Sequence, residues 1–127
     1  HFVQIAVDTL TGLAKIEAYN AAYDIGKAIN PGMCRAQIGG AVQQGIGAAL
    51  TENILFDSRN GAIINKNFHK YHLVNIPDMP KIDMNVIEHE GDNGPFGAKS
   101  IGESAIVPAM PAVLAALEND FGTAEPL

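Results

Sequence analysis

One stretch, residues 33–52, limits what this chain can fold into. Ile38, Val42, Ile46, Ala49 and Leu50 recur at helical spacing and lay one apolar stripe along an amphipathic helix. The same stretch carries Gly39, Gly40, Gly45 and Gly47. A glycine inside a helix costs roughly 0.5–1 kcal/mol against alanine, so the set costs about 2–4 kcal/mol. Something must compensate. Either another chain segment packs unusually close, as in tight helix-on-sheet packing, or a flat ligand needs the cleared space. The pattern alone leaves both open.

The flanking segments supply strands. Residues 2–7 alternate apolar and polar, the period of a half-buried strand. Asp8-Thr9-Leu10-Thr11-Gly12 is turn chemistry, and residues 13–22 resume as a second strand, so 2–22 reads as a hairpin. Residues 24–32 form a loop in which Pro31 pushes Asn30 out of the helical region. Residues 54–57 and 61–64 predict a short hairpin across Ser58-Arg59-Asn60. Residues 65–80 are irregular, interrupted by Pro77 and Pro80, and 82–89 alternate again, running into Glu88-His89-Glu90. A second, apolar helix is expected over 104–121, with Pro108 and Pro111 near its start and Gly122 as its stop. The fold class is therefore α+β: short β-hairpins packed with two main helices in one unit, residues 1–127.

Charge narrows the functional classes. Charged residues make up 17% of the chain, below the usual ~25%, which implies a surface partly covered by something else. A net charge of -6 argues against a nucleic-acid binder, which would show a basic face. The single cysteine, Cys34, allows no internal disulfide and makes a reducing, cytoplasmic setting the expectation. No apolar run approaches ~18 residues, so no membrane span is expected. The chain enters at once on strand-like sequence, as a fragment of a larger fold or an expressed domain would.

Several residues carry candidate chemistry. The segment Gly94-Pro95-Phe96-Gly97-Ala98-Lys99-Ser100-Ile101-Gly102-Glu103-Ser104 is a glycine-punctuated loop that delivers one carboxylate to the expected helix start. Glu103 is thus a candidate general base; the plainer reading is a carboxylate that stabilises the helix dipole. The loop is not a P-loop, because Ala98 stands where that motif needs glycine and Pro95 removes an amide. His69, His72 and His89 lack metal-site spacing and read as surface or capping residues. Cys34 lies near a helix start, where a thiolate would be favoured, yet burial is the commoner fate of a free cysteine. Gln37, Gln43 and Gln44 offer amides on the glycine-rich helix. Gln44 stands out because Gly45 and Gly47 clear space beside it.

Three of these segments, in this order, resemble the molybdenum-binding subunit of the xanthine dehydrogenase/aldehyde oxidase family of molybdenum hydroxylases. Residues 24–31 look like that family's Asp-x-Gly-x-x-x-Asn-Pro loop, 37–47 like its glutamine-rich glycine helix, and 97–103 like the segment ending in its catalytic glutamate. Gly39 stands where the family often has an acidic residue, and Ser104 where proline often follows the glutamate. The Gly-Glu-Ser form is similar to carbon monoxide dehydrogenase-like branches. The resemblance implies a C-terminal lobe of the molybdopterin-binding domain, with Glu103 as the base that takes a proton from water while an N-heterocycle or aldehyde carbon is oxidised. It implies that Gln44, Lys99, Gly102, Asp24, Asn30 and Gln37 lie along a molybdenum–molybdopterin cofactor, with or without a cytosine dinucleotide extension, and that no residue here ligates the metal. Iron–sulfur clusters and FAD would sit on partner subunits or domains, beside the remainder of the molybdopterin subunit; this chain lacks the cysteines a cluster needs. A non-catalytic structural or assembly module of such a complex, carbon monoxide dehydrogenase-like oxidation and a stand-alone small-molecule binding domain are the rival readings.

Overall fold

The computed structural model describes residues 1–89, 91 and 94–121, so Glu90 and the expected stop at Gly122 lie outside the described residues. A three-stranded sheet is built from β1 (Phe2–Val7), β2 (Ala14–Asp24) and β3 (Ile82–Ile87), in the order β1-β2-β3. β1 and β2 form the expected antiparallel hairpin. Asp8 closes its turn by accepting the Leu10 amide at 2.9 Å, and Gly12 takes the positive φ of 73° that the turn requires. β3 joins β2 in parallel, with Tyr19 opposite Ile82 and Asp24 opposite Ile87.

A register shift in β2 decides which residues face inward. Gln4 pairs with Ala18 but Ile5 pairs with Ile16, so Glu17 is an extra residue, a β-bulge. The inward set therefore changes parity from Ala14 and Ile16 to Tyr19, Ala21 and Tyr23. Beyond Asn20, β2 has lost its β1 partner and pairs only with β3, so its end runs clear of the hairpin.

Helix α1 (Pro31–Leu50) packs on β3 and on helix α2 (Ala109–Phe121), which also covers β1. Asn30 caps α1: its extended backbone (φ -137°, ψ 96°) is what Pro31 demands, and its Oδ1 accepts the Met33 amide at 3.1 Å. Ile38, Val42 and Ile46 meet Tyr19, Ala21 and Val113 in the core. Three helix glycines answer to packing: a Cβ on Gly47 would strike the Glu52 carboxylate, so Gly45 and Gly47 do not clear the space expected beside Gln44. A Cβ on Gly45 would overlap Ala109, the first residue of α2, and one on Gly39 would press on Met84 of β3 at 3.3 Å.

Several expectations are corrected, the bounds of α1 among them, which runs Pro31–Leu50 rather than 33–52. α2 begins at Ala109 rather than at 104. Residues 102–108 are turns closed by three-residue bonds, Ile106 to Glu103 and Ala109 to Ile106. The cause is Pro108, which has no amide proton for the Ser104 carbonyl and disfavours a helical Val107. Glu103 therefore does not sit at a helix N-terminus, and helix-dipole stabilisation is not its role. The 54–64 hairpin shrinks to one bridge, Phe56 with Ile63, because buried Asn65 ties off the strand end by holding the Leu55 amide and the Asn53 carbonyl. Cys34 is half-buried rather than enclosed.

Candidate functional site

The end of β2 and the glycine loop are stitched together. Ile25 accepts the Lys99 amide at 2.9 Å, Lys27 donates its amide to Gly97 at 2.9 Å, and Gly26 bridges to Ala98. The crossing is so close that a Cβ on Gly26 would strike the Gly97 carbonyl, and Gly26 itself has φ 63°. Gly94 is needed likewise, against the Ala98 carbonyl. Phe96, at φ 56°, is forced into the left-handed region at the loop's tip and is 90% exposed.

Charge completes the stitching. Lys99 Nζ lies 2.6 Å from Asp24 Oδ2, while Asp24 Oδ1 accepts the Gly26 amide at 3.0 Å. The Lys99 hydrogen bond, then the Gly26 amide, hold the Asp24 carboxyl below its ordinary pKa. Glu88, which sequence reasoning did not single out, takes the Ala28 amide at 2.7 Å and Lys27 Nζ at 3.2 Å. Those contacts, the amide first, lower its pKa as well. Asp24 and Lys99, both expected along a cofactor, are engaged with each other, and Asn30 spends its Oδ1 on the cap.

The remaining expected site residues are uncommitted. Glu103 is exposed, and no side-chain hydrogen bond or ion pair holds its carboxylate among the described residues. Gln43 gives its amide to the Val74 carbonyl at 2.8 Å and so is structural. Gln37 and Gln44 make no such bond among the described residues and stand exposed, two turns apart on one face of α1 with exposed Gly40 between them. A Cβ on Gly40 or on Gly102 would meet nothing within 4 Å, and neither has a positive φ. The fold does not itself require glycine at those two positions. Gly45, next to Gln44, touches Ala109 and Met110, so this part of α1 meets the chain shortly after Glu103.

The described residues form two hollows. One of about 1160 Å³ opens between the β1–β2 turn and the ends of both helices, lined by Leu13, Ile46, Leu50, His72 and Leu117 and by none of the expected site residues. A shallower one of about 600 Å³, at Arg35, Ala36, Gly39, Gly40, Ile82 and Met84, adjoins the amide face of α1. Glu103 and the amide face are open surface. Among the described residues no group of three or more His, Cys, Asp or Glu could hold a metal ion, and no helix is long and apolar enough to cross a membrane.

Known proteins resemble this chain in sequence and in fold. The family model of a molybdopterin cofactor-binding domain matches residues 1–80. The chain is 38% identical over 118 residues to the 6-hydroxypseudooxynicotine dehydrogenase complex subunit gamma of Paenarthrobacter nicotinovorans, covering 92% of this chain and 15% of that protein. It is 33% identical to a probable hypoxanthine oxidase of Escherichia coli K12, over 96% of this chain and 13% of the relative. Among solved structures, quinoline 2-oxidoreductase from Pseudomonas putida 86 superposes with a TM-score of 0.87 at 30% identity, covering 91% of this chain and 15% of that one. The copper- and molybdenum-containing carbon monoxide dehydrogenase gives 0.86 at 26% identity, covering 92% and 15%. The chain thus spans about one-seventh of the length of these relatives.

Proposed function

Since this chain belongs to the molybdopterin cofactor-binding domain family, among the molybdenum-binding subunits of the molybdenum hydroxylases, we propose that residues 1–127 are the C-terminal lobe of such a domain and that they bring the general base, Glu103, to its reaction centre. The observation that carries this is a contrast among the described residues: the crossing's Asp24 and Glu88 carboxylates are both engaged, while that of Glu103, held beside them by the same loop, has no side-chain partner. A carboxylate without an internal partner can take up a proton. In this role it accepts one from the water whose oxygen enters the product, at an electron-poor carbon of an N-heterocycle or an aldehyde.

The chain's residues fit a large cofactor with polar edges. Gln37 and Gln44 offer unspent donors and acceptors, and Gly40 and Gly102 let it approach the backbone. Asp24, Lys99 and Asn30 border it with whatever hydrogen-bonding capacity their internal bonds leave free. When bound, molybdenum–molybdopterin supplies the two-electron oxidation, whose electrons pass to iron–sulfur clusters and FAD on partner subunits. The exposed apolar side chains of Ile54, Leu55, Phe56, Phe68 and Ile76 support burial against the remainder of such a subunit.

The test uses the assembled, molybdenum-loaded protein with quinoline, hypoxanthine, nicotine, benzaldehyde and carbon monoxide as a panel. Glu103→Gln is expected to lower turnover of whichever compound reacts by at least ~10²-fold, at unchanged molybdenum content. Near-normal turnover at full occupancy refutes the role and favours the non-catalytic assembly module.

A further inference from the structure

The turn that bears Glu103 is tied at both ends to consecutive residues of β2. On one side Asp24 holds Lys99. On the other, the Tyr23 hydroxyl donates to the Ser104 carbonyl at 3.0 Å. Successive strand residues point to opposite faces, so the two ties grip the 99–104 segment from either side of the strand. The Ser104 carbonyl is available because Pro108 cannot supply the amide proton that a helix starting there would have given it. The Tyr23 ring is held in place by an edge-on contact with His1 at 5.2 Å between centroids. Partial burial raises the Tyr23 pKa, so the hydroxyl keeps its proton and remains a donor. Within the turn, Ile106 donates to the Glu103 carbonyl at 3.1 Å and Ser104 Oγ to the Ser100 carbonyl at 3.4 Å. These bonds fix the backbone, and no side-chain bond among the described residues holds Glu103, so its direction depends on how rigidly residues 103 and 104 are placed.

We infer that Tyr23 is a positioning residue for Glu103: through the Ser104 carbonyl it aims the base. The inference rests on Glu103 being the base. Tyr23→Phe removes the hydroxyl and keeps the ring. In the assembled, loaded protein, it is expected to lower kcat about 10- to 100-fold, the scale of a slightly misplaced catalytic group, with KM and molybdenum content unchanged. In a Glu103→Gln background the same change is expected to have no further effect. A Tyr23→Phe protein with wild-type kcat, or one whose loss multiplies fully with that of Glu103→Gln, overturns the inference. If Glu103→Gln itself is fully active, the underlying assignment fails instead. Hydrogen exchange of the Ile106 amide gives a readout independent of turnover and of metal loading. It is expected to speed up at least severalfold in Tyr23→Phe, and an unchanged rate overturns the inference.

Discussion

The crossing of β2 with the glycine loop and the outer face of α1 are both rich in glycine, yet their glycines have opposite explanations. At the crossing, Gly26 and Gly94 face backbone carbonyls of this same chain, and Asp24, Lys99, Glu88 and Lys27 are paired within it. On the α1 face, Gly40 meets open space, and Gln37 and Gln44 have no internal partner among the described residues. The first region is finished by its own chain. The second, with Gly102 and Glu103, has no such partner among the described residues, as the proposed cofactor face requires. Clearance, rather than glycine content, separates a packing glycine from a ligand-facing one.

Substitutions at the two kinds of glycine break the comparison most sharply. Gly26→Ala puts a Cβ on the Gly97 carbonyl and a non-glycine residue at positive φ, so destabilisation of at least about 2 kcal/mol is expected in denaturant unfolding. Gly45→Val, forced against Ala109, is expected to cost about 1–3 kcal/mol by overpacking. Gly40→Ala should do the reverse and raise helix stability by about 0.5–1 kcal/mol, while metal analysis of the purified protein shows less molybdenum bound. Full loading in Gly40→Ala would remove that face from the cofactor site.

The smallest effect tests whether the crossing is electrostatically self-contained. The Asp24 pKa is lowered on folding, so the folded state holds fewer protons there than the unfolded chain. The stability it contributes is present above the unfolded value near 3.8 and fades as pH falls through the lower folded value. Asp24→Asn should therefore be less stable than wild type at neutral pH, with the gap closing below about pH 4. Acid-unfolding curves that stay apart in that range would mean that Asp24 acts through its shape alone. The pair is exposed, so the difference is modest.

Legibility in the sequence followed the same division. The hairpin and α1 were readable because alternation and helical spacing are local, although the Asn30-Pro31 start of α1 was read as loop. The bulge at Glu17 was not readable, since a parity change appears only once β1 fixes the register. Nor was the parallel pairing of β2 with β3, which joins residues more than sixty positions apart. The late start of α2 was written in Pro108, whose missing amide proton outweighs the helix propensity of the surrounding alanines. Of the candidate site, Gln44 was marked by Gly45 and Gly47, whose space Ala109 and Glu52 fill, and Glu103 could be picked out by its glycine loop. Tyr23 and Glu88 could not, because their partners, Ser104 and Ala28, are backbone groups that any residue could have supplied.

The most direct test is an anaerobic single-turnover experiment on the assembled, molybdenum-loaded protein. Mixed with an oxidisable panel compound, the Glu103→Gln centre should be reduced at least ~10²-fold more slowly than wild type, with tight binding of the compound retained. Reduction at the wild-type rate would show that the free carboxylate takes no part in the chemistry.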